Sequence, residues 1–158
     1  MKLLIQILLF LLISYLAGCS GNKKSDIESI KNKQPEIMYS EALFEFENNN
    51  YEKAIEKFKE IDLNFPLSNE ALQSQIMLAF THYIQLEYDA SIIKLEKIIN
   101  RYPSYKDIDY VYYMKAMCYY EQIKNPELDG KFNVLALQDF EEIINRFPDS
   151  EYAKDSQQ

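Results

Sequence analysis

The sequence predicts an all-α fold, a solenoid of helical hairpins stacked in series. Three observations carry that reading. A helical stripe that closes on an aromatic residue and a proline occurs three times, at Tyr51–Pro66, Tyr88–Pro103 and Asn133–Pro148. A second set of stripes lies upstream at a constant offset, so that Tyr39, Ile76 and Tyr113 form one column. Small residues hold fixed places in both sets: Ala42, Ala79 and Ala116 in the first, Ala54, Ser91 and Ala136 in the second. Repetition at a fixed period means units that bury their apolar faces against one another.

Composition narrows the function classes. Hydrophobic residues make up 47% and charged residues 27% of the 158, enough for a packed core. Seventeen basic against 25 acidic residues give a net charge of −8, the wrong sign for a phosphate-backbone binder, so no nucleic-acid partner is expected. Three glycines supply no phosphate cradle and no dinucleotide fingerprint. The single histidine, His82, excludes His-rich metal sites and argues against a Ser-His-Asp arrangement. No cofactor, no metal and no enzymatic activity are expected.

The first element is an address. Met1 and Lys2 precede Leu3–Tyr15, a run that is apolar except for Gln6 and Ser14. A spanning helix needs roughly 20 apolar residues, and this run is shorter. A charged start, an apolar stretch and small residues before a cut site describe a secretory signal. The ending Leu16-Ala17-Gly18-Cys19 resembles a bacterial lipobox. That resemblance implies that residues 1–18 are a signal peptide cleaved after Gly18, and that Cys19 carries lipid. A short membrane anchor that happens to contain Cys19 is the plainer alternative. Ser20, where Asp would resemble an inner-membrane retention signal, points to a lipid anchor on the periplasmic face of the outer membrane. Several acyl chains, at about 0.8 kcal/mol per buried methylene, would make that anchoring nearly permanent.

Residues 19–35 follow as the lipidated cysteine and a tether. Ser20–Pro35 is polar apart from Ile27 and Ile30, and as a flexible coil it would span about 20–24 Å. With Cys19 modified, Cys118 has no disulfide partner. It falls in an apolar helical pattern and reads as a small buried hydrophobe.

Residues 36–158 form the repeat domain, with units at about 36–66, 68–103 and 107–148 and a partial one at 149–158. In the second helix of each unit Ile55, Ile92 or Leu137 comes next to the small residue. Phe58, Leu95 or Phe140 follows, then Ile61, Ile98 or Ile143, all on one stripe. Phe65-Pro66, Tyr102-Pro103 and Phe147-Pro148 end the helices, because a residue before proline is pushed out of the α region. In the first helices Leu43, Phe80 and Met117 make one further column, and Phe46, Tyr83 and Tyr120 the next. These small, aromatic and proline positions resemble the tetratricopeptide repeat, here three helical hairpins and the start of a fourth. The third unit departs from the pattern. Its step from Ala116 to Ala136 is eight residues longer than its counterparts, and Gln122–Phe132 contains Asn125-Pro126 and Asp129-Gly130, which are turn signals. A protruding loop is expected there, either a contact site or neutral.

Three further features narrow the resemblance: Ile108-Asp-Tyr-Val-Tyr-Tyr-Met114, the opening Tyr39-Ser-Glu-Ala42 and the late Phe147-Pro-Asp-Ser150. With the lipobox they make the chain similar to the BamD family, the repeat-containing lipoprotein subunits of the outer-membrane β-barrel assembly machinery. The resemblance implies a non-catalytic scaffold and substrate receptor that aids insertion of outer-membrane proteins. Its implied partners are the barrel-forming subunit, other lipoproteins of the complex, unfolded outer-membrane proteins, and the membrane through Cys19. Members of that family carry more repeats, so the chain reads as truncated at its C-terminus, although Asp149–Gln158 is polar enough for a degenerate cap. The alternative function is a scaffold for another envelope complex, such as a pilus or division system.

In such solenoids the first helix of each pair lines the groove. The candidates for holding a peptide or partner there are Tyr39, Gln73, Phe80, Tyr83, Asp109, Tyr110, Tyr113 and Tyr120. Ring contacts and hydroxyl hydrogen bonds would hold an aromatic-rich segment. Packing between repeats is the stronger reading for Tyr83, Tyr113 and Tyr120. For Asp109 and Tyr110, one turn earlier, the two readings stand level. His82 has no second ligand nearby in the sequence, and solvation accounts for acidic pairs such as Glu141-Glu142.

Overall fold

A computed structural model of the chain describes residues 34–123 and 130–157. The chain divides into two units, Met1–Lys33 and Gln34–Gln158, and the described residues all belong to the second. The signal segment, the lipobox with Cys19, nearly all of the tether and the middle of the inserted loop therefore lie outside the described residues.

Among the described residues there are seven helices and no strand. They are α1 (Pro35–Glu47), α2 (Tyr51–Asn64), α3 (Asn69–Ile84), α4 (Tyr88–Arg101), α5 (Ile108–Gln122), α6 (Lys131–Arg146) and α7 (Glu151–Asp155). Each packs against the next, and the first helices of consecutive hairpins also touch: α1 with α3, α3 with α5, α5 with α7. The result is the expected repeat solenoid, with α1, α3, α5 and α7 sharing one layer. Among the described residues no helix is long and apolar enough to cross a membrane.

The repeated sequence produces repeated local geometry. Phe65, Tyr102 and Phe147 cap α2, α4 and α6 with φ of −131°, −129° and −131°, outside the helical region as the following proline demands. Their N–H groups donate to the carbonyls of Ile61, Ile98 and Ile143 at 2.9, 2.8 and 2.9 Å. The ends of α1 and α3 share a different turn. Asn49 (φ 60°) and Leu86 (φ 63°) are left-handed. The N–H groups of Asn49 and Asn50 reach Phe46 O and Glu45 O, and those of Leu86 and Glu87 reach Tyr83 O and His82 O, each at 2.9 Å. This is the Schellman arrangement, which satisfies orphan carbonyls at a helix end. Helix starts repeat too: Ser68 Oγ accepts from Ala71 N, and Ser150 Oγ accepts from Tyr152 N.

The small residues sit where helices meet. Ala42, Ala79 and Ala116 are fully buried, as are Ala54 and Ser91, with Ala136 at 2% exposure. Phe58, Ile61, Leu95, Ile98 and Ile143 are also fully buried. One column divides. Ile92 is buried and Ile55 half-buried, but Leu137 is 59% exposed. The second helix of a unit is covered by the first helix of the next, α2 by α3 and α4 by α5. Leu137 instead borders a hollow that it shares with Tyr113 and Phe140 and with Asp155 of α7.

Polar side chains also link the helices, two of them at buried positions. Ser91 Oγ donates to Ala79 O at 2.8 Å and accepts from Cys118 Sγ at 3.4 Å, so one hydroxyl joins α4 to α3 and α5. Lys115 on α5 pairs with Asp139 on α6 at 3.0 Å, both largely buried. Burial pushes the Cys118 thiol up to about 11, so the cysteine is an inert part of the core, as its apolar setting in the sequence suggested.

Candidate functional site

The eight predicted groove residues come from α1 (Tyr39), α3 (Gln73, Phe80, Tyr83) and α5 (Asp109, Tyr110, Tyr113, Tyr120). They sort into three groups. Tyr39, Gln73, Asp109 and Tyr110 line one cleft of about 630 Å³. Tyr113 and Tyr120 line a second hollow of about 430 Å³, walled by Met117, Leu137 and Phe140. Phe80 and Tyr83 line neither and form part of an aromatic ladder. Phe80 lies 5.8 Å from Phe46 and 6.3 Å from Tyr83, which meets Tyr88 edge-on at 5.7 Å. Ring pairs at such distances add about 0.5–1.5 kcal/mol beyond area burial. The Phe46–Phe80 contact joins the first two repeats, whereas the ring contacts of Tyr83, to Phe80 and Tyr88, stay within the second.

The larger cleft is built where α1, α3, α5 and α7 come together. Tyr39 is anchored against Phe58 at 5.7 Å. Tyr110 packs on Tyr152 at 5.5 Å, and Tyr113 packs on the other side of that contact, 5.1 Å from Tyr152. Asp109 Oδ1 accepts from the Tyr110 N–H at 3.0 Å, and its Oδ2 accepts from Ser150 Oγ at 2.6 Å. Asp109 is therefore both a lining residue and the tie between α5 and the start of α7.

The phenols of this region are held neutral. Burial pushes Tyr110 up to about 12. Burial, reinforced by hydrogen bonds to Asp107 and Asp155 respectively, takes Tyr105 and Tyr113 to about 12. Tyr39 is raised by burial and then by Glu70. A neutral phenol both donates and accepts, and its ring is an apolar wall. Such a surface can offer ring contact and hydrogen bonds. Among the described residues no three His, Cys, Asp or Glu side chains converge as a metal site would require. His82 Nδ1 instead meets Glu87 Oε2 at 2.6 Å across the α3–α4 turn.

Two lining tyrosines were not singled out in the sequence. Tyr105 lies in the turn before α5, and Tyr152 lies on α7. The signal for Tyr152 was present: Ser150 and Ala153 hold the register of Ser68 and Ala71, which puts residue 152 in the first turn of another inner helix. Tyr105 had no such signal, because the turn between units has no helical period.

Comparison with known proteins places the chain in a family. The family model YfiO, described as outer membrane lipoprotein, matches residues 31–158. The outer membrane protein assembly factor BamD of Rickettsia prowazekii is 31% identical over 157 residues, covering 98% of this chain and 60% of that protein. BamD of Caulobacter vibrioides is 29% identical over 146 residues, covering 92% of this chain and 48% of that protein. BamD of Neisseria gonorrhoeae is 28% identical over 165 residues, covering 98% and 61%. The chain spans about half to three fifths of the length of these curated relatives. Matched over residues 31–158, the chain belongs to the YfiO family of outer membrane lipoproteins, together with the BamD assembly factors.

Proposed function

We propose that this chain is a non-catalytic lipoprotein subunit of the outer-membrane β-barrel assembly complex, anchored through lipid on Cys19 to the periplasmic face of the outer membrane. The observation that carries the reading is the family match over residues 31–158, joined to relatives named as outer membrane protein assembly factors. The repeat layer suits such a role: it presents a tyrosine-walled cleft on three consecutive hairpins and the short α7. In this reading Tyr39, Gln73, Asp109 and Tyr110 contact an extended segment of an unfolded outer-membrane protein or of the barrel-forming subunit. Tyr113 and Tyr120 offer a second, more apolar contact. Phe80 and Tyr83 stiffen the layer between them.

Depletion tests this function. Removing the protein from its cell should lower many outer-membrane barrel proteins together, measured by quantitative proteomics of outer-membrane fractions. Normal barrel levels, with a defect confined to one envelope appendage or to division, would overturn it.

A further inference from the structure

Resting on the cleft proposed above, the composition of its walls points to the side chain it takes. Four tyrosines wall it: Tyr39 on α1, Tyr105 ahead of α5, Tyr110 on α5 and Tyr152 on α7. Three carboxylates line it with them, Asp107, Asp109 and Glu151, against one cation, Lys106. Lys106 is 81% exposed and sits 3.5 Å from Asp107, so water screens it. Among the described residues Asp109 accepts from neutral donors, the Ser150 hydroxyl and the Tyr110 N–H. The cleft therefore carries more negative than positive charge, beside tyrosines that stay uncharged at physiological pH.

Two attractions then act on the same kind of guest. Carboxylates draw a cation by charge, and tyrosine faces draw it through their quadrupoles. A guanidinium answers both at once, because its plane stacks on a ring while its fork pairs with a carboxylate. An ammonium is a point charge and gives up more hydration on entering. A volume of about 630 Å³ holds such a side chain with part of the backbone that carries it. We infer that the cleft accepts an arginine side chain presented on an extended segment of a partner protein.

The test is calorimetric titration of the full chain carrying Cys19→Ala with the blocked peptide Gly-Tyr-Arg-Tyr-Gly. Counterparts with Gln or Glu in place of the Arg serve as comparison. The expected result is about tenfold weaker binding of the Gln peptide, no measurable binding of the Glu peptide, and a loss of the arginine preference as salt is raised. The double variant Asp107→Asn/Glu151→Gln, at two exposed positions of the cleft wall, should bring the Arg and Gln peptides to equal affinity. Equal affinity for the Arg and Gln peptides would overturn the arginine inference and leave the cleft standing as an uncharged groove. Binding of none of the three, by a protein whose helical circular dichroism is intact, would overturn the cleft reading and this inference with it.

Discussion

Ser150 Oγ donates a hydrogen bond to Asp109 Oδ2 at 2.6 Å, joining the first turn of α5 to the N-cap of α7 across 41 residues of sequence. The same oxygen accepts from the Tyr152 N–H at 3.1 Å. One hydroxyl thus starts α7 and fixes where it starts. The consequence reaches the cleft, because Tyr152 is thereby placed against both Tyr110 and Tyr113.

Ser150→Ala removes both bonds and should cost about 1–2 kcal/mol. Urea unfolding would measure the total. Hydrogen exchange should place the loss in α7 and the first turn of α5. An equal rise in exchange across α1 and α2 would show that the bond has no local role.

Ile92 and Leu137 occupy the same place in the repeat and should respond differently to the same substitution. Ile92→Ala should cost about 2–4 kcal/mol, whereas Leu137→Ala should stay within about 0.5 kcal/mol, because Leu137 already faces water. Similar losses at the two sites, read from denaturant midpoints, would mean that Leu137 is covered in solution.

Leu86 stands in the left-handed region at φ 63°, where the matching residue of the preceding hairpin is Asn49. Asn tolerates that conformation better than Leu, and Leu86 is largely exposed, so little packing is lost. Leu86→Asn should therefore raise stability by about 0.5–1 kcal/mol. A fall in melting temperature would contradict the turn geometry.

The pH dependence has a definite sign. The Cys118 thiol rises to about 11, and Tyr105, Tyr110 and Tyr113 rise to about 12. Groups raised on folding hold their protons more tightly in the native state, so their stabilising effect is complete below their unfolded values. It is lost as pH climbs through the folded values. Stability should be level from neutral to mildly alkaline pH and fall between about pH 9 and 12. Up to the start of that fall, Cys118 should resist alkylation in the native protein. Rapid modification near neutral pH, followed by mass spectrometry, would show that the core around Ser91 opens.

Much of this was legible in the sequence, for a physical reason. Helical period, small residues at crossings and proline stops are local signals, and they repeat, so each unit checks the others. The buried set Ala42, Ala79, Ala116, Ile61, Ile98 and Ile143 followed from that register. The exposure of Leu137 did not, since the same register place is buried at Ile92 and half-buried at Ile55. The division of the groove residues also escaped the register. Tyr83 and Tyr113 stand at different columns of equivalent helices, and which of them faces a cleft depends on the approach of α7 and Tyr152. Tyr105 was invisible because turns carry no period.

In the function proposed above, the inner repeat layer docks this protein onto the barrel assembly machinery. Its most direct test is to express the chain with a C-terminal tag in a suitable Gram-negative host, extract membranes in mild detergent, and quantify by mass spectrometry what co-purifies. Cys19→Ala controls for anchoring and Tyr110→Ala for the cleft. The expected result is recovery of the barrel-forming subunit or of nascent outer-membrane proteins, reduced severalfold by Tyr110→Ala while the fold is retained. Recovery unaffected by Tyr110→Ala, or recovery of pilus, division or peptidoglycan factors alone, would contradict it.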